Sequence, residues 1–161
     1  MDISLIKYKI IDFITLLADE SLSKQFNDLL AMQWQEVDHR RKTSELDVDF
    51  SQYLKMQEIG MHYVVFALDD EKIIGYMSMF NAQSPHTREM TATTDTVFIS
   101  KEYRKQGLGS GMVKEAEKEA INRECKHIMI TFKNDHRHDN IVNDMGFFSY
   151  ETIYAKYIGD L

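Results

Sequence analysis

The chain of 161 residues has one cysteine, Cys125, and one proline, Pro85. A single thiol excludes an intrachain disulfide and a cysteine-rich zinc site. One proline and seven glycines exclude collagen-like repeats, proline-rich linkers and low-complexity disorder. There is no apolar run of the roughly 18 residues that a membrane-spanning helix needs. Basic residues are in deficit, 19 Lys and Arg against 26 Asp and Glu, for a net charge of −7. Residues 1–60 carry eleven acids and seven bases, and residues 61–161 fifteen and twelve, so neither a basic arm nor an acidic tail exists. This balance argues against nucleic acid or an anionic membrane as the main partner. The start, Met1-Asp2-Ile3-Ser4-Leu5, lacks a basic n-region, and Asp12 interrupts the apolar stretch. It does not read as a signal peptide, and the expected compartment is the cytoplasm.

What is present suits one globular domain: 43% apolar residues, 28% charged, no internal repeat and no linker. Ile3–Tyr8 reads as a first strand. Leu22, Phe26, Leu30, Trp34 and Val37 lie three or four apart on one face of a helix that begins after Asp19 or Ser21. A polar stretch over residues 38–47 precedes a short helix from about Asp49, with Phe50, Tyr53 and Leu54 on one side and Gly60 as its stop. From His62 the period changes to a β-hairpin, residues 62–68 and 73–80 around Asp69-Asp70-Glu71-Lys72. Asn81–Glu89 reads as a loop and Thr91–Ile99 as a strand. A helix follows with Leu108, Met112, Ala116 and Ala120 four apart and Val113 and Ile121 widening the stripe. His127–Phe132 reads as a strand, residues 137–145 as a helix closed by Gly146, and Ser149–Tyr157 as a last strand. The expected class is α/β (α+β), with the Thr91–Ile99 and His127–Phe132 strands parallel across a helical crossover.

The densest chemical signal is Tyr103-Arg104-Lys105-Gln106-Gly107-Leu108-Gly109-Ser110-Gly111, between a strand and a long helix. Glycines cost a helix about 1 kcal/mol each, so three at its start call for compensation. Glycine lets backbone approach a ligand closely, and the first helical N–H groups point outward with the positive end of the dipole. That arrangement suits a phosphate or pyrophosphate. A P-loop is excluded because no lysine stands at the required place, and a dinucleotide fingerprint because Met112 occupies its third glycine position. The pattern R/Q-x-x-G-x-G/A is met in full by Arg104-Lys105-Gln106-Gly107-Leu108-Gly109. The structural alternative is a glycine-rich helix start that binds nothing.

With this loop the sequence resembles the GNAT superfamily of N-acetyltransferases. Val97-Phe98-Ile99-Ser100-Lys101-Glu102-Tyr103-Arg104 resembles the strand ending that leads into the family's acetyl-CoA loop. Ile73-Ile74-Gly75-Tyr76 resembles its glycine-bearing third strand, and Met145-Gly146-Phe147 its late Gly-Phe signature. The set covers roughly residues 61–157 in order. Ala92-x-x-Asp95 and the ending Glu151-Thr152-Ile153-Tyr154-Ala155-Lys156 are also similar to GNAT proteins common in bacteriophage genomes, which implies a host cytoplasm.

The resemblance implies a central mixed, twisted sheet with a V-shaped splay between two parallel strands and helices on both faces. It implies acetyl-CoA as cosubstrate and no metal. Backbone amides of Gln106, Gly107, Leu108, Gly109 and Ser110 would hold the pyrophosphate, with Arg104 and Lys105 nearby. The pantetheine arm would pair with the end of the strand holding Val97, Phe98 and Ile99, the Phe98 or Ile99 amide polarising the acetyl carbonyl. Asn134 matches a position that often touches pantetheine. The implied reaction is direct attack by a neutral amine, for which Asp95 is the leading base candidate, through water. The alternative is that Asp95 satisfies backbone or pairs with a surface cation. Val142 occupies the place of the family's usual tyrosine acid, which leaves Tyr150, Tyr154 or water for that role. His136 and His138 form an H-x-H pair, read either as a solvated turn or as an acid, base or incomplete metal set.

Three functions follow as expectations: an N-acetyltransferase for a small or protein amine, a CoA-binding regulatory protein with little catalysis, or an effector that modifies a host protein. Residues 19–60 and Asn81–Glu89 are the expected acceptor wall, where Glu36, Asp38, Glu45, Asp47 and Asp49 would suit a cationic acceptor; a solvated face explains the same charges equally well. A homodimer is compatible with this sequence.

Overall fold

A computed structural model describes residues 5–37, 45–132 and 142–154. The elements run β1 (Lys7–Ile10), α1 (Phe13–Ala18), α2 (Glu20–Val37), α3 (Phe50–Glu58), β2 (His62–Asp69), β3 (Lys72–Gln83), β4 (Met90–Ile99), α4 (Leu108–Asn122) and β5 (Cys125–Met129), with a 3-10 turn at Lys101–Tyr103. The five strands form one sheet in the order β1-β2-β3-β4-β5. All neighbours are antiparallel except β4 and β5, which are parallel across α4. The right-handed preference of such crossovers puts the connecting helix against the sheet face.

Period-2 alternation sorts the central strands onto two faces. Tyr63, Val65 and Ala67 of β2, with Ile74, Met77 and Met79 of β3, meet Leu108, Met112, Val113, Ala116 and Ala120 of α4. Val64, Phe66 and Leu68, with Ile73, Tyr76 and Phe98, meet Phe13, Leu16, Phe26 and Leu29 of α1 and α2. β2 is therefore buried on both faces and reads as an unbroken apolar run rather than an alternating one. The Tyr63 hydroxyl donates to the Ala116 carbonyl at 2.8 Å and pins α4 to the sheet.

Several sequence expectations change. The first strand begins at Lys7, and α1, unforeseen, is set by Asp12, whose carboxylate accepts from the Thr15 N–H at 2.6 Å. Asn81–Glu89 is not all loop, because β3 continues to Gln83. The buried Asn81 amide donates to the Gly60 carbonyl at 3.0 Å, which gives a turn-type residue a strand position. Ile121 does not widen the α4 stripe; it is 67% exposed. β5 begins at Cys125 and ends at Met129, short of Phe132. Residues 149–154 form no strand, so the described part of the expected last strand is not found. The helix expected over 137–145 lies mostly outside the described residues; Val142 and Asn143 are helical and Gly146, at φ +86°, closes the turn.

Candidate functional site

Parallel pairing of β4 with β5 stops at Thr93–Met129, while β3 stays paired with β4 through Ile99. From Thr94 onward the two parallel strands part. Side chains take over where the ladder ends: the Thr94 hydroxyl donates to the Met129 carbonyl at 3.2 Å, and the Thr131 hydroxyl to the Thr94 carbonyl at 3.3 Å. Val97, Phe98 and Ile99 thus lie on a strand whose β5-facing edge pairs with no described strand. Such an edge is a template for an extended, hydrogen-bonding ligand.

At the same point β4 is irregular. Ser78 pairs with Thr96 and Met79 with Thr94, so Asp95 is the extra residue of a bulge. A bulge re-aims its side chain. The Asp95 carboxylate accepts from the Tyr53 hydroxyl at 3.2 Å and from the Ser78 hydroxyl at 3.3 Å. The Tyr53 ring stacks on Phe80, centroids 6.1 Å apart. An exposed carboxylate with an aromatic ring beside it is an arrangement that suits a cationic amine.

The loop after β4 leads to the α4 N-terminus. Asp12, Asp19 and Asp49 each accept from a backbone N–H in the first turn of α1, α2 and α3. α4 has no side-chain cap; its cap residue is Gly107, at φ +79°. The first N–H groups of α4 therefore have no cap side chain to bond and lie beside exposed Lys105. A Cβ on Gly107 would meet nothing within 4 Å, whereas one on Gly111 would overlap the Tyr8 ring. Gly107 leaves the helix mouth open; Gly111 makes room for packing. Gly75 is required too, since a Cβ there would sit 2.8 Å from the Phe98 carbonyl oxygen.

Arg104 has a different setting from its neighbour Lys105. Its Nε donates to the Ile99 carbonyl at 2.8 Å, its Nη1 to the Glu36 carboxylate, and its guanidinium covers the Phe98 ring. This clamp ties the end of β4 to α2. Arg104 holds the Glu36 carboxyl below its usual range, Lys101 adding to the effect. Glu36 thereby braces the scaffold, and Asp49 caps α3. Glu45 and Asp47 are exposed, and Asp38 lies outside the described residues.

Asn134, His136 and His138 also lie outside the described residues. Among the described residues no group of three His, Cys, Asp or Glu could hold a metal ion, and no helix is long and apolar enough to cross a membrane. Val142 accepts from the Met145 and Phe147 N–H groups, each at 3.1 Å, and its side chain has no proton to give. Tyr150 and Tyr154 are 74% and 91% exposed. Tyr53, His62 and Ser78 were missed as site residues. The available signal was the polar pair His62 and Ser78 inside apolar strand runs.

A model of the acetyltransferase (GNAT) family matches residues 24–147. No curated protein sequence matches the chain. Solved structures similar to it include an aminoglycoside acetyltransferase from an uncultured soil metagenomic sample, at 13% identity and TM-score 0.71, covering 97% of each chain. Ribosomal-protein-alanine N-acetyltransferase of Brucella melitensis biovar Abortus 2308 matches at 11% identity and TM-score 0.64, over 97% of this chain and 99% of that one. Glucosamine-6-phosphate N-acetyltransferase of Arabidopsis thaliana matches at 13% identity and TM-score 0.67, over 95% and 99%. At these identities the likeness is one of fold.

Proposed function

Because the chain belongs to the acetyltransferase (GNAT) family, we propose that it transfers the acetyl group of acetyl-CoA to a primary amine, of a small molecule or a protein, by direct attack within a ternary complex. The observation that carries this reading is the parting of β4 from β5 after Thr93, with bulged Asp95 at its side. The unpaired β4 edge and the uncapped α4 start fit the two ends of the cosubstrate, a hydrogen-bonding pantetheine arm and a pyrophosphate. Backbone N–H groups of Gln106, Gly107, Leu108, Gly109 and Ser110 would hold the pyrophosphate, with Lys105 adding charge. Arg104 would act by fixing the loop against Glu36. The Phe98 or Ile99 N–H would polarise the acetyl carbonyl.

When bound, acetyl-CoA supplies an acyl thioester: the amine nitrogen forms the new C–N bond, the C–S bond breaks, and CoA leaves as its thiol. An ammonium acceptor must first lose a proton. Asp95, directly or through water, accepts it. Tyr53 and Phe80 flank the incoming cation. Val142 in place of a tyrosine favours water as the source of the thiol proton. The same substitution favours the second reading, a CoA-binding regulatory or effector protein with little catalysis.

The test is a thiol-release screen against polyamines, amino acids, aminoglycosides and peptides. The sugar-amine and protein-amine acceptors named for the similar structures motivate this panel. Turnover with at least one amine is expected. Asp95→Asn should lower kcat by about 100-fold, the lower end of general-base effects, while calorimetry gives an unchanged Kd for acetyl-CoA. Gly109→Val should weaken that Kd by tenfold or more. Tight CoA binding without turnover of any amine would establish the second reading, and no binding at submillimolar CoA would overturn both.

A further inference from the structure

The Asp95 carboxylate stands at one end of a series of hydrogen bonds that crosses the sheet to the first helix. The Phe13 N–H, at the start of α1, donates to Gln57 Oε1 at 2.7 Å. Gln57 Nε2 is 3.2 Å from His62 Nδ1. His62 Nε2 is 2.8 Å from Ser78 Oγ, and Ser78 Oγ is 3.3 Å from Asp95 Oδ2.

Donor and acceptor roles follow from one end. A backbone N–H can only donate, so the Gln57 oxygen faces α1 and its NH2 faces His62. The NH2 donates, so His62 Nδ1 must be the bare, accepting nitrogen. A neutral imidazole then carries its proton on Nε2 and donates it to Ser78 Oγ. Ser78 is left with its own proton, which goes to Asp95 Oδ2. Each link fixes the next, and the direction cannot reverse without placing two donors or two acceptors face to face.

The surroundings of His62 keep it in that state. It is 1% exposed. The rings of Phe13 from α1, Tyr53 from α3 and Phe80 from β3 lie 5.5, 4.9 and 5.1 Å from its own. The Arg123 guanidinium, after α4, disfavours imidazolium. Burial is the larger effect in the same direction.

We propose that His62 and Ser78, oriented by Gln57, are positioning residues that hold the Asp95 carboxylate in place for the acceptor amine. The inference rests on the reading of Asp95 as base. The bulge frees Asp95 from the ladder, and without a fixed partner a carboxylate on a bulge would sample several rotamers. The Ser78 hydroxyl, itself held by His62, and the Tyr53 hydroxyl from α3 reach the same oxygen from two elements. Base and aromatic wall are thereby referred to one frame.

Two measurements test this. Nitrogen-15 NMR of the histidine rings should find His62 at pH 7 as the neutral Nε2–H tautomer. Kinetics should find that Ser78→Ala lowers kcat by about tenfold or more with acetyl-CoA Kd nearly unchanged, while the buried His62 N–H left without its partner lowers the melting temperature by several degrees. A carboxylate that loses a hydroxyl donor protonates more readily. The acid limb of the kcat/KM profile should therefore move to higher pH, and Ser78→Thr should restore both kcat and profile. His62 found as the Nδ1–H tautomer or as imidazolium at pH 7 would overturn the inference. So would Ser78→Ala with wild-type kcat and profile while Asp95→Asn loses turnover, a result that leaves the base reading standing. Full turnover by Asp95→Asn would overturn the base reading and this inference together.

Discussion

A histidine buried at the head of a strand must either lose its charge or find a counter-charge, and His62 loses its charge. Burial, with the Arg123 charge second, pushes its pKa down to about 4. Between that value and the ordinary 6.5 the unfolded chain binds a proton that the folded protein excludes. Stability therefore rises with pH through this window and is lost as pH falls from about 6.5 towards 4, at up to about 1.4 kcal/mol per pH unit. Urea unfolding at pH 7, 6 and 5 should show this slope, and His62→Gln should flatten it relative to wild type. An equal slope in the variant would show that other groups cause it. The histidine was legible in the sequence only as a polar interruption. Its role depends on Gln57, Ser78 and Phe13, which are 5, 16 and 49 positions away and meet only in the folded chain. The glycines divide in the same way. The pattern of Gly107 and Gly109 pointed to an anion loop, but nothing in it says that Gly111 is there for the Tyr8 ring.

At the scale of elements, α4 and its loop were the most readable part of the chain. The four-residue spacing of Leu108, Met112, Ala116 and Ala120 is matched by four buried side chains. The parallel relation of β4 and β5 was legible because a helical crossover allows little else. Where the strands part was not legible, since that depends on a bulge and on two threonines closing the fork. The buried Thr94 hydroxyl should matter accordingly. Thr94→Val keeps the shape, loses the donor to Met129 and should cost about 1 kcal/mol. Hydrogen exchange should quicken at β5 amides while β2 and β3 keep their protection; uniform quickening, or none, would argue against a local fork. The expected loop at Asn81–Glu89 failed for a related reason. Asn81 looks like a turn residue, yet its backbone N–H donates to the Met61 carbonyl at 2.9 Å and its side chain to Gly60. Those partners lie some twenty positions away, beyond the reach of local pattern.

Over the whole molecule, the net charge of −7 coexists with a helix start that favours anions and a carboxylate wall that favours cations. Long-range charge acts on encounter and is screened over about 10 Å at 0.1 M salt. For a polyamine acceptor, kcat/KM should therefore fall several-fold between roughly 20 and 200 mM salt. A flat profile would show that local contacts alone govern acceptor capture. The acids were counted in advance but not sorted. Glu36 went to Arg104 and Asp49 to a helix cap, because both choices depend on which helix packs beside which strand.

The sequence by itself determined the α/β class, the parallel crossover and the anion-loop motif. These depend on residue spacing, which local backbone geometry converts directly into structure. Tertiary structure decided the point where β4 leaves β5, the exit of Asp95 from the ladder, and the partners of His62 and Arg104. Each of these depends on at least one contact between residues distant in sequence, and such contacts exist only once two core faces have fixed the sheet between the helices.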